Sequence, residues 1–99
     1  MFAVTRFRVE DRAALLADGA ALLAALRARP GFVAGEFGTA ADDEGLCALL
    51  TTWDGVGSYR RALSGTESKM VVVPLLSRAV DEPSAYQVVV AAPPAASLG

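Results

Sequence analysis

The sequence predicts an α+β sandwich, a four-stranded sheet with helices on one face, and three observations point there. Its 99 residues allow one domain, because independent domains mostly run ~50–250 residues. Extended runs and helical stripes follow one another in the order β-α-β-β-α-β. Third, 54% hydrophobic residues and a mean hydropathy of +0.40 exceed what one small core needs to bury. That excess points to surface covered in an oligomer.

Residues 2–9 are β-branched and aromatic and read as the first strand, with Phe2, Val4, Arg6 and Arg8 on one face. Ala3, Thr5, Phe7 and Val9 occupy the other. Asp11 is an N-cap candidate for a helix whose stripe is Leu15, Leu16, Leu22, Leu23 and Leu26. Pro30-Gly31 stops that helix after Arg27 and Arg29. Residues 32–39 suit a second strand, Asp42 to Gly45 a hairpin turn, and Leu46 to Trp53 a third strand. Asp54 can cap a short helix carrying Val56, Tyr59 and Leu63.

Ser64 and Glu67 have capping-box spacing, so the chain is expected to restart as a helix through 70–76. Pro74 either kinks that helix or opens a new turn. Its valines would equally suit a strand. Asp81-Glu82-Pro83 ends it, and Ala85 to Val90 reads as the last strand. The domain is therefore expected over 1–90, with 91–99 a flexible tail. The β-α-β-β-α-β order is that of a ferredoxin-like sandwich. Strands with apolar residues on both faces leave an uncovered apolar sheet face, which implies a homodimer formed face to face.

Composition excludes much chemistry. There is no His, and Cys47 is the single cysteine, so His-based acid–base catalysis, Ser–His or Cys–His nucleophiles and an intrachain disulfide are out. Most metal chemistry goes with them. A net charge of −2 and nine cations without a basic stripe argue against nucleic acid. No stretch reaches the ~20 apolar residues of a membrane span. Arg6 and Arg8 stand where a signal peptide needs an apolar run, so a cytoplasmic protein is expected. Cys47 reads as a small buried hydrophobe and Lys69, the one lysine, as a solvated helix residue.

Four pieces then form a pattern: Arg29-Pro30-Gly31-Phe32 before the second strand; Trp53 closing the third; Gly55-Val56-Gly57-Ser58-Tyr59-Arg60-Arg61-Ala62-Leu63; and Pro74-Leu75-Leu76 through Asp81-Glu82-Pro83. In these the chain resembles the antibiotic biosynthesis monooxygenase (ABM) domains of the dimeric α/β-barrel superfamily, over about residues 2–90. The resemblance implies a homodimer whose sheets pack into a barrel, with a pocket between sheet and helices. Its best-understood members oxidise anthrone-like polyketides with O2 and neither metal nor flavin, so no cofactor is implied. An aromatic pair corresponding to Trp53 and Tyr59 lines their pocket. Their Asn before the Trp corresponds to Leu49 here, and the chain has no Asn. Their Arg after the Tyr has Arg60, Arg61 and Arg78 as candidates, and the His of haem-degrading relatives is missing.

Trp53 and Tyr59 are accordingly the candidate catalytic pair, Trp53 as a stacking wall with an indole N–H and Tyr59 as a hydrogen-bond donor to a developing enolate or phenolate. Each is equally well a core aromatic. Candidate substrate-binding residues are Arg6, Glu36, Leu49, Arg60 and Arg78. Arg6 either enters the pocket or pairs with Glu36 across strands. Arg78 either stabilises an anion or pairs with Asp81 and Glu82. Two functions remain open: a cofactor-independent monooxygenase (an oxidoreductase of secondary metabolism) acting on an aromatic, polyketide-like molecule, or a non-catalytic dimeric module binding an apolar or aromatic ligand or a partner.

Overall fold

The computed structural model describes residues 1–65 and 68–95, with Ser68 and Lys69 described by their backbone alone. Four strands and their helices follow the predicted order: β1 (Phe2–Arg8), α1 (Arg12–Arg27), β2 (Phe32–Ala40), β3 (Asp43–Trp53), α2 (Val56–Ser64), a π turn (Ser68–Val72), α3 (Val73–Leu76) and β4 (Ala85–Tyr86). The sheet order is β2-β3-β1-β4, antiparallel throughout, which is the ferredoxin-like arrangement.

β1 lies at the centre because its alternation serves both faces. Ala3, Thr5 and Phe7 are buried under the helices, while Arg6 and Arg8 stand exposed on the open face. Opposite them, Cys47, Leu49, Thr51 and Trp53 of β3 continue the buried row. Leu22 and Leu26 of α1, Tyr59 and Ala62 of α2 and Val72 of the π turn close over it. The helix cap is as expected, Asp11 accepting from the Ala14 N–H at 3.1 Å. Gly31, with φ +88°, makes the turn after α1 where an L side chain would be strained and would run into Ser58.

Several expectations need correction. Leu16 is 48% exposed, because the buried stripe centres on Leu15, Gly19, Leu22 and Leu26 and Leu16 lies at its rim. Gly19 sits mid-stripe for a steric reason: a Cβ there would come within 2.8 Å of the Phe37 ring. Asp54 does not cap α2. Gly55 holds that position without a side-chain bond, and the Asp54 carboxylate lies beside Gly31. The hairpin turn is tighter than expected, with Ala40 paired to Asp43 and β3 already begun at Asp43.

The segment through 70–76 is helical, as a π turn that passes into α3 with Pro74 in its first turn. The fixed φ of Pro74 suits that first turn, and its missing N–H falls at the join between the two helical windings. Glu67 of the capping box, the side chain of Lys69 and the tail from 96 to 99 lie outside the described residues. The last strand ends at Tyr86, not at Val90. Tyr86 pairs with Phe2, so the chain beyond it runs past the start of β1 and finds no strand to join. Val89 and Val90 are accordingly about nine-tenths exposed.

Candidate functional site

The outer edge of β1 is where the sheet opens. Ala3 pairs with Ala85 and Phe7 bridges Ala79, so five residues, 80–84, stand opposite three, 4–6. Two extra residues force the segment to arch away from the sheet, as a large bulge does. Main-chain bonds pin the arch at both ends, from the Val80 N–H to the Arg6 carbonyl and from the Val4 N–H to the Ser84 carbonyl, each 2.8 Å. Beneath it lies a cleft of about 410 Å3 reaching Tyr59, Leu63 and Leu76 on the helix side. That volume falls in the range of small-molecule sites.

Tyr59 comes to this cleft from the first turn of α2, one turn beyond the strand end that carries Trp53. The residue is 8% exposed and its hydroxyl lies 3.5 Å from Ser84 Oγ, a long contact in which either oxygen can donate. Trp53 backs Tyr59, ring centroids 5.8 Å apart, and meets Phe32 edge to face at 5.3 Å. Its indole N–H is donated to Thr51 Oγ1 at 2.9 Å, and only 2% of the residue is exposed. Trp53 therefore reaches the cleft only through Tyr59.

Arg6 lines the cleft from the open face of the sheet. The expected pair with Glu36 does not form: β3 intervenes, with Arg6 opposite Ala48 and Glu36 opposite Leu50 one row away. The partner is Glu82, on the arch. Nε donates to Oε1 and Nη2 to Oε2, both at 2.6 Å, a planar two-point contact. Bonding to Arg6 holds the Glu82 carboxyl below the usual carboxylate range, and the same bonds raise the Arg6 guanidinium.

The remaining candidates lie elsewhere. Leu49 is buried in the core, Glu36 and Arg60 are exposed, and Arg78 pairs with Asp18 of α1 at 2.8 Å rather than with Asp81 or Glu82. The cleft thus brings together Tyr59 and Arg6 of the predicted set and adds Glu82, read from the sequence only as part of a helix terminator and a partner for Arg78, and Ser84, which the sequence reading did not single out. Farther along, the space between sheet and helices beside Phe7, Leu22 and Phe37 is filled to about 10 Å3. A recess of about 610 Å3 at the far end of β1 is lined by Arg8, Asp11 and Arg78, each already engaged: Arg8 with Asp43, Arg78 with Asp18, and Asp11 as the cap of α1. No group of three or more His, Cys, Asp or Glu among the described residues is placed to hold a metal ion.

These elements define a small α+β sandwich with a ligand-sized cleft at one sheet edge. Its fold is that of the antibiotic biosynthesis monooxygenases. SnoaB, a cofactor-independent oxygenase from Streptomyces nogalater, superposes with a TM-score of 0.71 at 23% identity, over 89% of this chain and 94% of that one. A Deinococcus radiodurans protein assigned to the antibiotic biosynthesis monooxygenases gives a TM-score of 0.77 at 14% identity, over 96% and 98%. Rv0793 from Mycobacterium tuberculosis gives 0.68 at 18% identity, over 96% and 97%. No protein-family model matches the sequence, and no curated protein matches it. At such identities the likeness establishes the fold, and at that level it agrees with the resemblance read from the sequence.

Proposed function

We infer that the chain is a cofactor-independent monooxygenase for an aromatic, polyketide-like small molecule, with O2 as the oxidant. The observation that carries this reading is the Tyr59 hydroxyl, held by a buried ring against Trp53 and opening on the 410 Å3 cleft beside Arg6. A substrate such as an anthrone carries a CH2 whose loss of a proton gives a delocalised phenolate. That anion passes one electron to O2, the two radicals join through a C–O bond, and the hydroperoxide loses water. One CH2 and one O2 become one C=O and one H2O. The protein's part is to hold the ring system, stabilise the anion and exclude water. Tyr59 can donate to the anionic oxygen, and the charge of Arg6 favours the ionised form. The fold shared with SnoaB, itself named a cofactor-independent oxygenase, supports the same reading.

A second reading is a non-catalytic binding module. It is favoured by the engagement of the Trp53 N–H with Thr51 and by the burial of Leu49, which take two of the expected site residues out of reach of a ligand in the cleft. Oxygen uptake separates the two, measured on chelator-treated protein with a hydroxylated anthrone against a no-protein control. Uptake proportional to protein and reduced about tenfold or more in Tyr59→Phe supports the enzyme. A change in affinity alone, with no uptake above autoxidation, supports the binder.

The assembly in this reading is a homodimer, in the cytoplasm, joined through the open sheet face. There Phe2, Val4, Leu46, Ala48 and Leu50 form an apolar field interrupted by Arg6, Arg8 and Glu36. Light scattering at micromolar concentration is expected to give twice 10.2 kDa. A monomer mass would remove the barrel.

A further inference from the structure

The arch over the cleft is tied to β1 by main chain at its ends, and between them by one contact among the described residues, Arg6 to Glu82. That contact is chemically distinctive. Both oxygens of Glu82 fill the fork of an arginine that lines the cleft, the geometry with which arginine recognises any carboxylate. It is also replaceable. In the single chain the two side chains are 44% and 29% exposed, and an incoming carboxylate takes the place of Glu82 on Arg6 without leaving that guanidinium unpaired.

We propose that Glu82 is an internal stand-in for an acidic group of the ligand: an aromatic carboxylate enters the cleft, displaces Glu82 from Arg6, and places its phenolic or enolic oxygen at Tyr59 and Ser84. The exchange conserves charge, since one carboxylate replaces another on Arg6 and Glu82 turns to solvent. A neutral ligand of the same shape leaves the pair closed and gains nothing from Arg6. Arg6 and Glu82 thus determine specificity, and Glu82, tethered close by, competes with the ligand at high effective concentration. The inference rests on the arch cleft being the ligand site and extends that reading to the ligand's charge.

Calorimetric titration of the full chain with a hydroxynaphthoate and with its methyl ester tests this without any need for turnover. Binding of the acid is expected to weaken about tenfold in Arg6→Gln, the scale of one charge-assisted contact, while the ester is unaffected. In Glu82→Gln the acid is expected to bind severalfold more tightly and the ester as before. A folding defect weakens both probes, so a gain confined to the acid has no such origin. If Glu82→Gln leaves the affinity for the acid where it was, or acid and ester respond alike to both substitutions, the displacement is overturned and the cleft survives as the ligand site. If neither probe binds wild type or Glu82→Gln at millimolar concentration, both ideas fall.

Discussion

Along one edge of β1, beside Val4 to Arg6, the chain leaves a cleft of about 410 Å3; at the strand's far end, around Arg8, it leaves one of about 610 Å3. Both are bordered by an arginine in a two-residue ion pair. They differ in what else faces them. The far recess is lined mainly by groups that fasten the fold, Asp11 capping α1 and Arg78 joining α3's trailing turn to α1 through Asp18, with exposed Glu10 beside them. The edge cleft holds a buried phenol whose hydrogen bond is long and an ion pair that bridges a bulged segment rather than two regular elements. Size alone would favour the far recess; the state of the polar groups favours the edge cleft.

Trp53→Ala removes the wall behind Tyr59 and opens the core, at a cost of about 3–5 kcal/mol, readable in urea unfolding. A loss below 1 kcal/mol would show that the site does not depend on the core behind it. Tyr59→Phe is expected to lower oxygen uptake about tenfold or more, while Arg8→Gln in the far recess leaves it within about twofold. Equal losses would erase the distinction between the two.

Gly19→Ala drives a methyl into Phe37, and strain of ~1–3 kcal/mol outweighs the ~1 kcal/mol gained in helix propensity. Gly38→Ala, with open space around it, serves as the neutral control in thermal melts.

A smaller effect is the acid response of the two ion pairs. Both Glu82 and Asp43 are held below their ordinary values by arginine, so each contributes stability above the usual carboxylate range and loses it as pH falls through the depressed value. The melting difference between wild type and Glu82→Gln should therefore be full at neutral pH and vanish in strong acid. A difference that persists there would mean that the effect of Glu82 is not its charge. Smallest of all is Asp18→Asn, which breaks an exposed pair and should cost at most about 1 kcal/mol in urea unfolding.

Local pattern carried the fold a long way. The alternation of Ala3, Thr5 and Phe7 against Arg6 and Arg8 announces a strand buried on one face, and Asp11 followed by spaced leucines announces α1. Trp53 and Tyr59, singled out through the family resemblance, do come into contact. What local pattern could not carry was pairing between distant segments. Glu82 lies 76 positions from Arg6, and only the two-residue excess of the arch, a property of sheet register, brings them together. The run Val88–Val90 has every mark of a strand, yet a strand also needs a neighbour, and the length of β1 decides that.

The arch has a consequence for how such a protein can diversify. Its ends are held by main chain, the Val80 N–H that any residue but proline can supply and the Ser84 carbonyl that any residue can, so residues 81–83 can change in kind or number without shifting the register of the sheet. Selection acting on that short stretch alters what the edge accepts while the folding problem stays solved. A lineage can thus explore new ligands one arch at a time, with the core and its stability left out of the trade.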